Sequence, residues 1–150
     1  MTFNTMGIYL GLDIGKKRTG IARSDSMGII VKPLKTILTE DLLEEIENLD
    51  QEFGIEKLII GEPVNIQEGN NEAFANVHTI IESIKRNFPQ LNIEVIDERF
   101  TSKEAEAIIK QKGIKLNKDN KELIDQYAAA IILETYWAMT NGGDYLDEEE

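Results

Sequence analysis

The sequence predicts an α/β protein built on a mixed five-stranded sheet flanked by helices, and three observations carry that expectation. The chain opens with three strand-like segments in a row, with no helical spacing between them, which predicts an antiparallel meander. Two further apolar runs alternate with segments whose apolar residues recur every three or four positions, so these later strands should be parallel and joined by right-handed crossovers. Two helical segments finish the chain.

Taken in order, Met1 to Met6 reads as a loose leader and Ile8 to Leu12 as a strand buried on both faces. Thr19 to Ser24 alternates and pairs back as a hairpin. Ile29 to Thr36 is the third strand, where Pro33 suits a sheet edge. Leu42, Ile46, Leu49 and Phe53 have helical spacing, with Glu44, Glu45 and Glu47 outward and Gly54 as the stop. Ile55 to Ile60 is a buried strand closed by Gly61 and Pro63. Phe74, Val77, Ile81, Ile84 and Phe88 mark a helix that Pro89 ends. Leu91 to Ile96 is the last strand. Thr101 and Glu104 make a capping box for a helix from about Ser102 to Lys112, ended by Gly113. A lysine-rich connection leads to a final helix from Lys121 to Met139. Residues 1–139 are expected to form a single domain, with 140–150 an acidic, disordered tail.

A chain of 150 residues suffices for one domain with a real core. It has no cysteine, which excludes disulfides and cysteine-ligated zinc. No apolar stretch reaches the roughly 20 residues of a membrane span. The N-terminus also lacks the basic-then-apolar layout of a signal peptide. A cytoplasmic location and no membrane partner are expected. The net charge of −12 argues against a nonspecific nucleic-acid binder. The charges are segregated, however. Acids crowd 40–56 and the C-terminal tail, whereas Lys103, Lys110, Lys112, Lys115, Lys118 and Lys121 populate one late segment. A local basic surface is compatible with this pattern, and so is a merely solvated face.

Three carboxylate positions stand out. In YLGLDIGKKRTGIARSD an apolar strand ends on Asp13, followed by Gly15 and the basic run Lys16, Lys17, Arg18. Alone, Asp13 reads equally as turn chemistry. In DERFTS, Asp97 and Glu98 fall between a strand and a helix start, where a helix dipole would favour one acid but does not account for two. In KELIDQYAAAIIL, Asp125 shares a helix stripe with Ala128, Ala129 and Ile132. That stripe should face the sheet, and a carboxylate there needs a cation, either a metal or one of Arg18, Arg23 and Arg99. In open α/β sheets ligands gather at the carboxyl ends of the parallel strands, where Asp13, Asp97 and Glu98 all fall. Carboxylate oxygens suit Mg²⁺ or Mn²⁺, and two such ions can hydrolyse a phosphodiester without a histidine or cysteine nucleophile.

GLDIGKKRTGIARSD, the GEPVNIQEG loop, DERFTS and IDQYAAAIIL together resemble the YqgF/RuvX family, over roughly Gly7 to Tyr136. The family has an RNase H-like fold and is described as Holliday junction resolvases or nucleases of the 16S ribosomal RNA precursor. The resemblance implies Asp13, Glu98 and Asp125 as catalytic carboxylates and metal ligands, with Asp13 bridging two Mg²⁺ or Mn²⁺ ions. It implies Lys17, Arg18, Asn65, Arg99 and Ser102 as substrate-binding residues. The implied partner is nucleic acid, structured RNA or branched DNA, cut to leave 3′-hydroxyl and 5′-phosphate ends. A monomer and a two-fold dimer both remain open, the dimer favoured by junction cleavage. Two departures touch the loop after the fourth strand. Glu62 replaces the leucine of a Gly-Leu-Pro pattern, which would allow it to act as an additional acid near the ions, and the step from Asn65 to Gly69 is longer.

Other features have plainer readings. His78 reads as a helix-flank residue, and Tyr136 and Trp137 as packing rather than a base-stacking platform. LDIGKKRTGIA also resembles the first phosphate loop of actin-like kinases, but those need two domains. A nonenzymatic nucleic-acid-binding module would not require all three acids.

Overall fold

The computed structural model describes residues 7–25, 30–63, 72–98, 101–115, 117 and 120–142, with backbone alone at 63, 72–74, 98, 101–104, 141 and 142. The strands are β1 (Ile8–Ile14), β2 (Arg18–Ser24), β3 (Val31–Leu38), β4 (Ile55–Pro63) and β5 (Ile93–Glu98). The helices are α1 (Leu42–Phe53), α2 (Glu72–Asn87), α3 (Thr101–Gln111) and α4 (Lys121–Trp137), the last continued by a π-helical turn, Ala138–Gly142. A single sheet has the order β3-β2-β1-β4-β5. β1–β2 and β2–β3 are antiparallel, whereas β1–β4 and β4–β5 are parallel. This is the mixed five-stranded sheet expected, with Pro33 on an edge strand. No described helix is long and apolar enough to cross a membrane.

Four strands end later than local signals suggest, because ladder partners outweigh them. β1 continues through Asp13 to Ile14, which pair with Gly20 and Thr19. β4 runs on through Gly61 to Pro63, and β5 is shifted two residues so that Asp97 and Glu98 lie inside it, opposite Glu62 and Pro63. β3 is likewise displaced to Val31–Leu38, with Leu38 opposite Arg18. The acids of DERFTS therefore belong to a strand, not to the loop after it. α3 begins at Thr101, one residue early; the side chains of its capping box lie outside the described residues, as does the tail from 143.

Alternation sorts the sheet into two faces. Leu10, Leu12, Ile14, Ile21, Leu58 and Ile60 point to the face covered by α1 and α2, where they pack with Leu42, Ile46, Val77 and Ile81. The other face receives α4. Here the sheet presents Gly11, Gly20 and Ala22 to the helix. A Cβ on Gly11 would meet the Ala129 carbonyl, and one on Gly20 would strike the Asp125 carbonyl. Ala129 and Ile132 thus face the sheet as their spacing predicts, but Ala128 turns to α3, packing on Ala105 and Ile131.

α4 is tied down at both ends. Near its start Thr36 donates to the Glu122 carbonyl at 2.9 Å and accepts from Gln126 Nε2 at 3.2 Å. Near its end Tyr9 lies edge-on to Trp137 and tilted against Tyr136, so these aromatics are packing residues. Lys57 Nζ donates to the Tyr136 hydroxyl at 2.8 Å, and this bond, more than the charge of Glu94, holds the Lys57 pKa above the ordinary 10.5. An open groove of about 480 Å³ separates α3 from α4, lined by Ala107, Ile108, Ile131, Glu134, Thr135 and Ala138.

Gly20→Ala should destabilise the fold by more than about 3 kcal/mol, beyond ordinary overpacking, because the obstructing atom is backbone; urea unfolding measures this. Desolvation raises the Glu134 pKa above the ordinary 4.5. The folded state therefore holds this proton more tightly than the unfolded chain, and stability falls as pH rises from below 4.5 through the folded value. Glu134 is exposed at the groove, so water offsets much of this effect; Glu134→Gln should raise the melting temperature only slightly at pH 7 relative to wild type, with no gain at pH 3, a comparison thermal melts at the two pH values provide.

Candidate active site

Asp13 and Asp125 are brought together by a glycine. Asp13 stands opposite Gly20 in the β1–β2 ladder, and residues so paired lie about 5 Å apart with side chains on one face. Gly20 in turn touches the backbone of Asp125. Asp13 thus rises on the α4 face at the carboxyl end of β1, half-buried, one strand pair away from Asp125. The Asp125 carboxylate is not solvent-facing; its side chain is 23% exposed and accepts a bond from Arg18 Nε at 3.1 Å. Among the described residues, Arg18 is the cation that Asp125 meets, and Arg23 is not.

The third acid is set by alternation. Ile96 packs under α4 with Ile132 and Tyr136, and position 98 has the same parity. Asp97 has the opposite parity and is exposed. Between the two neighbours, Glu98 is the one whose strand position falls on the face of Asp13, two strands or about 10 Å across the sheet and two residues further along, since the ladders set Asp13 level with Ile96. Its side chain is not among those described. Among the described residues no group of three His, Cys, Asp or Glu is placed to hold a metal, and Glu98 does not enter that set. Glu62 is a correction to the sequence reading. Parity sends it to the α2 face, where it lies 3.7 Å from His78 Nδ1, so the sheet separates it from Asp13. His78 itself is exposed on the flank of α2.

The basic run forms a tight hairpin tip. The Gly15 N–H donates to the Arg18 carbonyl at 2.9 Å, leaving Lys16 and Lys17 exposed at the turn. Thr39 clamps this tip from beyond β3. Its N–H donates to the Lys17 carbonyl at 2.8 Å, and its hydroxyl donates to the Gly15 carbonyl at 2.7 Å. Having one proton, that hydroxyl must accept from Thr19 Oγ1, 2.9 Å away. The sequence reading missed Thr39, Thr36 and the two close-contact glycines; a glycine inside a strand is itself a signal that another backbone approaches. Asn65 and Arg99, and the side chain of Ser102, lie outside the described residues.

Loss of the Thr39 hydroxyl leaves a buried Thr19 hydroxyl and the Gly15 carbonyl short of partners. Thr39→Val should cost about 1–3 kcal/mol and speed amide exchange at Gly15, whereas Thr39→Ser should retain most of the stability.

Comparison with known proteins bears on the family and the fold. The family described as "RuvX: Holliday junction resolvase" matches residues 7–139. A Bacteroides fragilis protein named "Putative pre-16S rRNA nuclease" is 38% identical over 132 residues, 87% of this chain and 96% of that one. A protein of the same name from Sulfurihydrogenibium is 38% identical over 133 residues, covering 87% of this chain and 90% of its own. In fold, Thermus thermophilus RuvC, solved in complex with a Holliday junction substrate, superposes with a TM-score of 0.58 over 90% of this chain and 96% of its own, at 13% identity. Strand order, the acid on β1 and the acid on the last helix thus sit on an RNase H-like fold, and the chain belongs to the RuvX/YqgF family.

Proposed function

We propose that the protein is a divalent-metal-dependent endonuclease, acting on the 5′ end of the 16S ribosomal RNA precursor in the cytoplasm. The observation that carries the reading is the Asp13–Gly20–Asp125 apposition at the carboxyl edge of the sheet. Family membership supports it, as do relatives named for this substrate. The donor set fits hard cations. Asp13, Asp125 and Glu98 offer only carboxylate oxygens, and this chain has no cysteine and a single histidine, which stands on the other face of the sheet. Asp13, Glu98 and Asp125 would hold the ions, which when bound supply an activated water and charge compensation at phosphorus.

The chain's own residues do the rest. The exposed Lys16 and Lys17 and the partly exposed Arg18 present cationic donors at the same edge, suited to phosphate oxygens. The Thr39 clamp fixes their hairpin relative to β1. Lys121, at the start of α4, adds an exposed charge, and Arg99, Asn65 and Ser102 are assigned to substrate binding. Junction cleavage is the second reading, favoured by the family's description, and would call for a two-fold dimer.

Cleavage with Mg²⁺ or Mn²⁺ should be measured on two labelled substrates, an RNA carrying the precursor 5′ end and a four-way DNA junction. The RNA should be cut. Asp13→Asn and Asp125→Asn should each reduce the rate more than about 100-fold, since even outer-shell changes at metal sites reach that size. Cutting of the junction alone would select the second reading. Cutting of neither, with no thermal shift on adding metal, would leave a binding module.

A further inference from the structure

We infer that Arg18 and the divalent cations compete for Asp125, so that Arg18 is a positioning residue that trades the carboxylate for substrate phosphate when metal binds. The inference rests on the reading of Asp125 as a metal ligand given above. Its geometric basis is independent of that reading. Arg18 and Gly20 have the same parity on β2, so the Arg18 side chain rises on the α4 face beside Asp125. Its Nε is 3.1 Å from Asp125 Oδ2, a charge-assisted bond between residues 107 apart in sequence. Both side chains remain partly exposed, 33% for Arg18 and 23% for Asp125, so neither is locked in by packing.

Charge counting makes the two partners antagonistic. Asp13, Glu98 and Asp125 carry three negative charges, and two divalent ions bring four positive ones. A guanidinium kept on Asp125 would add a fifth, within about 5 Å of a cation held at the usual 2 Å from the same carboxylate. Whichever cation arrives second is repelled by the first. A phosphodiester relieves the excess, and it also offers oxygens that match the guanidinium fork. The released Arg18 stands at the same edge as Lys17 and needs only to swing, because its backbone is held in the β2–β3 ladder opposite Leu38. Arg18 would thus hold the acids compact while no metal is bound, and metal loading would arm the substrate side of the site.

The test is Mn²⁺ binding to the full chain without nucleic acid, followed by calorimetry, for wild type, Arg18→Gln, Arg18→Met and Asp13→Asn. Saturable binding lost in Asp13→Asn, and about 5- to 50-fold tighter in both Arg18 variants, is the result expected from coupling of ordinary size. Equal or weaker binding in the Arg18 variants, with Asp13-dependent binding intact in wild type, would show Arg18 to be a preorganising partner and overturn the inference alone. Absence of any Asp13-dependent binding in wild type and variants would remove the metal site and the inference together. A wild-type measurement guards against variants that fold poorly. The Arg18 Nε–H proton should exchange slowly with water in the metal-free protein and rapidly at saturating Mg²⁺; unchanged exchange would refute the swap.

Discussion

The rest of the structure depends on how closely α4 can lie against β1 and β2. Two strand glycines, Gly11 and Gly20, permit it, because the carbonyls of Ala129 and Asp125 occupy the space a Cβ would need. Strand glycines are locally unfavourable, for they lose more backbone freedom on folding and bury nothing. Here they convert a helix resting on side chains into one resting on backbone. The consequence reaches the site directly. A helix held further from the sheet by ordinary side chains would move Asp125 away from Asp13 and out of reach of Arg18. The tie from Thr36 to Glu122 and Gln126 then fixes where along its axis the helix sits.

Alternation divides labour between the two faces. The α1–α2 face carries the continuous apolar cluster from Ile8 to Ile84 and supplies most of the burial that stabilises the domain. The α4 face can therefore accommodate less favourable residues, two glycines and Asp13, without dissolving the core. β1 shows the division within one strand, since Leu10, Leu12 and Ile14 serve the first face while Gly11 and Asp13 serve the second. The same parity explains why Glu62 and Asp97 are excluded from the site although both lie at the carboxyl edge.

Much of this was legible in the sequence. Apolar spacing gave α1, α2 and α4 to within a few residues, and the Gly54 stop is real, with φ at 80°. Meander followed by alternation predicted a mixed sheet with antiparallel early strands and parallel later ones, but not the order β3-β2-β1-β4-β5. The misplacements share a cause. The ends of β4 and β5 are set by each other, so Gly61 and Pro63 read locally as a stop while their ladder partners carry the strand on. No window of sequence contains that pairing. The Arg18–Asp125 partnership was legible only as one of three cations for one carboxylate, because the choice between Arg18 and Arg23 depends on which residues of β2 share parity with Gly20. Thr39 was invisible, since a threonine just past a strand has no periodicity to betray a clamp on a hairpin 20 residues earlier.

The remaining tension is a chain of net charge −12 acting on a polyanion. Topology resolves it. Most of the acidic segment lies on α1, whose exposed Glu44, Glu47 and Glu52 point away from the sheet on the face opposite α4, whereas Glu40 and Asp41 follow the Thr39 clamp directly. A helix is about 10 Å thick, so the α1 charges lie more than about 10 Å from the sheet plane, on its far side. At physiological ionic strength, potentials decay over about 8 Å, which leaves little of that field at Asp13. What a phosphate meets at the carboxyl edge is instead the exposed Lys16 and Lys17, held by the Thr39 clamp, with Arg18 behind them. The net charge is thus a poor guide to recognition, and the local balance at this edge is set by Lys16, Lys17 and Arg18 against the few acids beside them.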